Sequence, residues 1–163
     1  MKRCWIHIGM PKTGTTSIQV NLAEAGGGPD WTFVSVGGVP NMGQFMHAMF
    51  ASKPHEFHSF VKLGRTPAEM VEYGARLRDE LTAAIRSAPG ENVILSGEAA
   101  VSIDRAGIFA MRDFLKPFFD EIRVIGYVRP PAGYKVSFFQ QGLKQYGGAK
   151  FDLDAVKLKY RGK

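Results

Sequence analysis

Cysteine is nearly missing from this chain. Cys4 is the single one among 163 residues, and one thiol excludes a disulfide framework and any cysteine-rich zinc site. A reduced, cytoplasmic setting is the expectation that follows. Long apolar runs are missing too: no stretch approaches the roughly 20 apolar residues that a membrane-crossing helix needs. The opening "MKRCWIHIGMPK" begins with two cations, but its apolar run is too short and too polar for a signal peptide. With no low-complexity tract, internal repeat or interdomain linker, a single domain over residues 1–163 is expected. Acidic residues are the scarcer sign, 15 against 21 basic, for a net charge of +6. That balance suits an anionic ligand. Part of the excess lies in the tail "KQYGGAKFDLDAVKLKYRGK". The tail reads as a solvated face without an aromatic-interleaved RNA motif, so neither a nucleic-acid nor a membrane partner is expected. Oligomeric state leaves no mark in the sequence.

What is present is a 45% hydrophobic composition, enough for a packed core. "RCWIHI" is a short apolar run closed by glycine and reads as a buried strand. "TTSIQVNLAEA" follows with helical spacing at Ile18, Leu22 and Ala25, and "GGGPD" stops it. "WTFVSV", "NVILSGE" and "IRVIGYVR" are further strands. The Met-, His- and Phe-rich segment 40–63 gives one short helix near "FMHAMF" and no clear period elsewhere. "TPAEMVEYGARLRDELTAAIRSAPG" is the best-marked helix. Thr66 caps it, Pro67 opens it, and Glu69 completes a capping box. Met70, Tyr73, Leu77, Leu81 and Ile85 form its apolar stripe. "DRAGIFAMRDFLKPFF" places Ile108, Met111, Leu115 and Phe118 on one helical face, prolines open a helix in "PPAGYKVSFFQQGLKQYG", and "DLDAVKLKY" is a final helix candidate. Apolar strands alternating with helices predict an α/β fold: a three-layer, open, mainly parallel sheet with helices on both faces. Ligands of such sheets collect at the C-terminal strand ends. The loop after the first strand, Ser96 to Glu98, and Arg129 all fall there.

The loop "HIGMPKTGTTSIQ" carries the sharpest chemistry. Against the phosphate-loop pattern G-x-x-x-x-G-K-[ST], Gly9 and Gly14 have the right separation and Thr16 takes the hydroxyl position. Thr15 stands where the lysine belongs, and the available cation, Lys12, comes before the second glycine. Main-chain amides of residues 12–17 can still form an anion nest at a helix N-terminus. The usual lysine neutralises β- and γ-phosphates. Moving it forward suggests a ligand with less charge beyond its first phosphate, and chemistry close to that phosphate.

"PKTGTTS" closely resembles the 5′-phosphosulfate loop of the sulfotransferase family, enzymes that use 3′-phosphoadenosine 5′-phosphosulfate (PAPS) on a P-loop NTPase-like fold. The family's second motif is a strand ending in arginine with a serine eight residues on, and "VIGYVRPPAGYKVSFFQ" resembles it through Arg129 and Ser137. Pro130 pushes Arg129 into an extended conformation. Ser137 follows about two helical turns later, on the face of Tyr134 and Gln141. A guanidinium and a hydroxyl converging on one phosphate make a charge-assisted site.

The resemblance implies in-line transfer of a sulfuryl group from PAPS to a hydroxyl or amine of a carbohydrate or small-molecule acceptor, without a metal. Lys12, Thr13, Gly14, Thr15, Thr16 and Ser17 would cradle the 5′-phosphate, with Lys12 stabilising the leaving bisphosphate. Arg129 and Ser137 would take the 3′-phosphate. Glu98, just past a buried strand, matches the general base of carbohydrate-modifying members. Cytosolic members use histidine, which brings in His47, His55 and His58. His7, inside the first strand, reads as a satisfied core histidine. The resemblance spans residues 4 to about 148, whereas family members continue into a later strand and a nucleotide-closing loop, so a C-terminally truncated chain, a short natural variant or a degenerate relative is expected. Two alternatives stand beside it: a non-catalytic or degenerate P-loop nucleotide-binding module, and an ATP-dependent small-molecule kinase.

Overall fold

The sheet is parallel throughout, with strand order β2-β3-β1-β4, in a computed structural model that describes residues 1–146. Its strands are β1 (Arg3–His7), β2 (Trp31–Phe33), β3 (Asn92–Ser96) and β4 (Glu121–Ile125). The helices are α1 (Thr15–Ala25), α2 (Gly43–Phe50), α3 (His58–Lys62), α4 (Pro67–Ser87), α5 (Arg105–Leu115) and α6 (Pro131–Tyr146), with 3-10 turns at Pro54–Glu56 and Glu98–Ser102. The chain divides into two compact units, Met1–Val128 and Arg129–Lys163. The helix expected over "DLDAVKLKY" lies outside the described residues.

In the first unit β1 is central, with Arg3–His7 paired to Asn92–Ser96 on one side and to Glu121–Ile125 on the other. Alternation along the strands separates two faces. Cys4 and Ile6 of β1 and Val93 and Leu95 of β3 are buried in one core with Met42, Met46, Leu77, Leu81 and Leu115. Their alternates Trp5, His7 and Ile94 face a groove shared with Ile18 and Leu22 of α1. Helices therefore cover both faces, α1 on one side and α2, α4 and α5 on the other. Burial pushes the Cys4 thiol up to about 12, so it packs as an unreactive apolar group.

α4 follows its sequence signals. Thr66 accepts from the Glu69 amide while the Glu69 carboxylate accepts from the Thr66 amide. Met70, Leu77, Leu81 and Ile85 are buried, and Gly74 is buried where Ala48 O would stand 2.3 Å from an added Cβ. The Met/Phe segment is core: Met42, Phe45, Met46, Met49, Phe50 and Phe60 are all buried.

Three sequence expectations need correction. α1 buries Thr15 and Gln19, leaving Ile18 and Leu22 half-buried and Ala25 exposed, because its first turn meets a polar cluster at the strand ends. Ile108 of α5 is 48% exposed, and the buried face is Gly107, Met111 and Leu115; Gly107 lies where Phe50 O would stand 2.7 Å from a Cβ, so close packing of the chain chose the face. β4, expected across "IRVIGYVR", spans only Glu121–Ile125 and is an edge strand of the described sheet, with Val124 62% exposed.

The second unit holds α6, opened by Pro131 with the Tyr134 amide donating to Pro130 O at 3.0 Å. The Arg129 side chain folds toward the first turn, its Nε 3.3 Å from where a Cβ on Gly133 would lie. Ser137 is half-buried in the same helix, and Tyr134 stacks on Phe138 with centroids 5.9 Å apart.

Candidate functional site: a glycine loop facing a carboxylate

Neighbouring strands β1 and β3 send their chains to opposite faces, which opens a crevice at their C-terminal ends. The loop after β1 and the Glu98 turn after β3 form its two lips. Ladder bonding continues past β1: the Ile8 amide donates to Ile125 O at 3.0 Å, Tyr127 N to Gly9 O at 2.8 Å and Met10 N to Tyr127 O at 3.1 Å. Across the crevice, Gly97 N donates to His7 O at 2.9 Å. Gly9 has φ +96°, and a Cβ there would stand 2.9 Å from Glu98 O. Only glycine permits both that conformation and that approach.

Beyond Gly9 the chain turns through Lys12 at φ 66° and Gly14 at φ 87°, which caps α1. A left-handed non-glycine residue is uncommon and marks backbone held in place by its surroundings. The Thr13 hydroxyl donates to Met10 O at 2.6 Å and closes the arch. Thr15 is buried, and its hydroxyl donates to Glu98 Oε2 at 2.6 Å. Both hydroxyls are thus engaged in building the loop, so Thr13 and Thr15 offer a ligand their amides. Thr16 and Ser17 are exposed on the first turn of α1, where amides and helix dipole favour an anion.

The structure therefore brings Lys12, Thr13, Gly14, Thr15, Thr16, Ser17 and Glu98 together on one unit. Arg129, just before α6, and Ser137, within it, belong to the second unit.

Beneath the loop runs a buried polar chain. Gln19 Nε2 donates to Ser96 Oγ at 3.0 Å, and Ser96 Oγ lies 2.8 Å from His7 Nδ1. His7 is only half satisfied, contrary to the sequence expectation: its Nε2 has no hydrogen-bond partner among the described residues. His47 is buried, its Nε2 3.0 Å from both Ala99 O and Ser102 Oγ and its ring stacked on Phe57 at 4.1 Å. Through Nε2 it supports the Glu98 turn. His58 instead lines a cavity with Glu98, Pro11, Asn41, Gln44 and Ser59. Asn41 Oδ1 accepts from Gly43 N at 3.0 Å and Glu98 N at 3.2 Å, tying the start of α2 to the carboxylate's backbone. Asn41, Gln44 and Ser59 have no motif spacing and escape sequence reading. Among the described residues no cluster of His, Cys, Asp and Glu could hold a metal ion.

Burial lowers the pKa of both His7 and His47 from 6.5; nearby Glu98 opposes the shift at His7, and the bond to Ala99 opposes it at His47. The unfolded chain then binds protons that the folded one refuses. Stability from these rings is complete above pH 6.5 and is lost as pH falls below it toward the lowered folded values. Thermal melts from about pH 8 to about pH 5 should show a midpoint that drops below about 6.5, and His47→Gln should make the drop shallower. A midpoint that rises on acidification would contradict this.

Compared with protein-family models, with curated proteins and with solved structures, the chain matches none.

Proposed function

We propose that this chain is a PAPS-dependent sulfotransferase with a P-loop NTPase-like nucleotide site. The observation that carries the reading is the loop itself. An arch of main-chain donors bearing an early cation, Lys12, runs straight into a helix N-terminus and faces Glu98 through the Thr15 hydroxyl at 2.6 Å. In the reaction, the acceptor oxygen or nitrogen attacks sulfur in line while the bond from sulfur to the bridging oxygen breaks. Adenosine 3′,5′-bisphosphate leaves with that electron pair. Lys12 and the loop amides offset charge building on the 5′-phosphate, and Glu98 takes the acceptor's proton.

One observation favours a second reading. A carboxylate bonded to a loop hydroxyl is how P-loop NTPases hold Mg²⁺, and Thr15–Glu98 has that form. The metal-binding hydroxyl of that pattern corresponds to Thr16, however, and no lysine follows Gly14. An assay in EDTA separates the two. Given PAPS and hydroxyl acceptors, the chain should release adenosine 3′,5′-bisphosphate without metal. Consumption of ATP only with Mg²⁺ would replace this reading with a kinase, and neither activity would leave a binding module.

A further inference from the structure

A cavity of about 450 Å³ opens beside the loop, reached past Pro11 and walled by Asn41, Gln44, Phe57, His58, Ser59 and Glu98. Its volume falls within the roughly 300–1,000 Å³ of ligand sites. Its chemistry is selective. Two carboxamides, an imidazole and a hydroxyl offer donors and acceptors in several directions, which suits a molecule with several hydroxyls. Phe57 supplies one apolar wall, fixed by its stack on His47. The lining includes Glu98 and neither lysine nor arginine. A carboxylated or sulfated group entering there would meet the Glu98 carboxylate with no paired cation in the wall.

We infer that this cavity is the acceptor subsite and that it takes a neutral polyhydroxylated molecule, such as an uncharged sugar, in preference to an acidic sugar or a flat apolar phenol. The inference rests on the sulfuryl-transfer reading for the role of Glu98. Gln44, His58 and Ser59 are its specificity-determining residues. One acceptor hydroxyl points to Glu98, and the others pair with the amide, imidazole and hydroxyl around it.

Calorimetry first measures adenosine 3′,5′-bisphosphate binding to the chain. The loaded protein is then titrated with methyl β-glucoside, methyl β-glucuronide and 4-nitrophenol while the His58 ring resonances are followed by NMR. The neutral glycoside should shift His58. It should bind about tenfold more tightly than the glucuronide, and about tenfold more weakly to Gln44→Ala, as for a lost hydrogen bond in a partly buried site. If Gln44→Ala melts early, Ser59→Ala serves in its place. Equal or tighter binding of the glucuronide or the phenol overturns the inference, as does a silent His58 with the bisphosphate bound. A glycoside-dependent His58 shift without any bisphosphate heat would keep the cavity assignment and sink the nucleotide reading instead.

Discussion

Lys12→Ala should lower sulfuryl transfer by about a hundredfold or more, the usual loss when one preorganised donor to a developing oxyanion is removed. The expectation follows from where the lysine stands. In a kinase-type loop the cation follows the second glycine and reaches outer phosphates. Here it stands two residues before Gly14, at the crest of the arch. Under the proposed sulfuryl transfer, a cation at that point acts on the bridging oxygen next to the first phosphate. Lysine and alanine both carry a Cβ and bear the same backbone strain at φ 66°, so a parallel melt distinguishes a lost cation from a lost fold. Steady-state kinetics with a parallel thermal melt reads both. Near-normal turnover in a folded variant would remove Lys12 from the mechanism.

Glu98→Gln should cost a comparable factor, about a hundredfold to ten-thousandfold, the range for loss of a general base. Glutamine has the same shape, and its side-chain oxygen can still accept from the Thr15 hydroxyl, which now meets Glu98 Oε2 at 2.6 Å. The loop should therefore keep its form, and bisphosphate affinity should stay within a few-fold, a margin of under about 1 kcal/mol. Full activity in Glu98→Gln, with loss in His58→Gln, would transfer the base role to His58, which shares the cavity wall. His47 is not among the residues that line that cavity; its Nε2 meets Ala99 O and Ser102 Oγ.

The loop was legible because its constraints are local. Gly9 and Gly14 stand where left-handed backbone is needed, and the apolar run before them names the strand. α4 was legible for the same reason: Thr66 and Glu69 satisfy each other within one turn, and the stripe from Met70 to Ile85 follows the helical period. The segment from Pro40 to Leu63 was not. α2 is buried on nearly every side, from Gly43 through Phe50, so no polar face sets a period. α1 misled for the opposite reason. Its apolar residues Ile18 and Leu22 suggested the buried face, but the buried positions are Thr15 and Gln19, which answer Glu98 and Ser96 on β3 and its following turn, far away in sequence. The cavity residues Asn41, Gln44, Phe57 and Ser59 come from separate turns and helices, and only folding shows that they share a wall.

The most direct test is a calorimetric titration of adenosine 3′,5′-bisphosphate in EDTA, run beside ATP with Mg²⁺. The account predicts metal-independent binding of the bisphosphate in preference to ATP. Preference for ATP–Mg²⁺, or no heat from the bisphosphate at all, would contradict it.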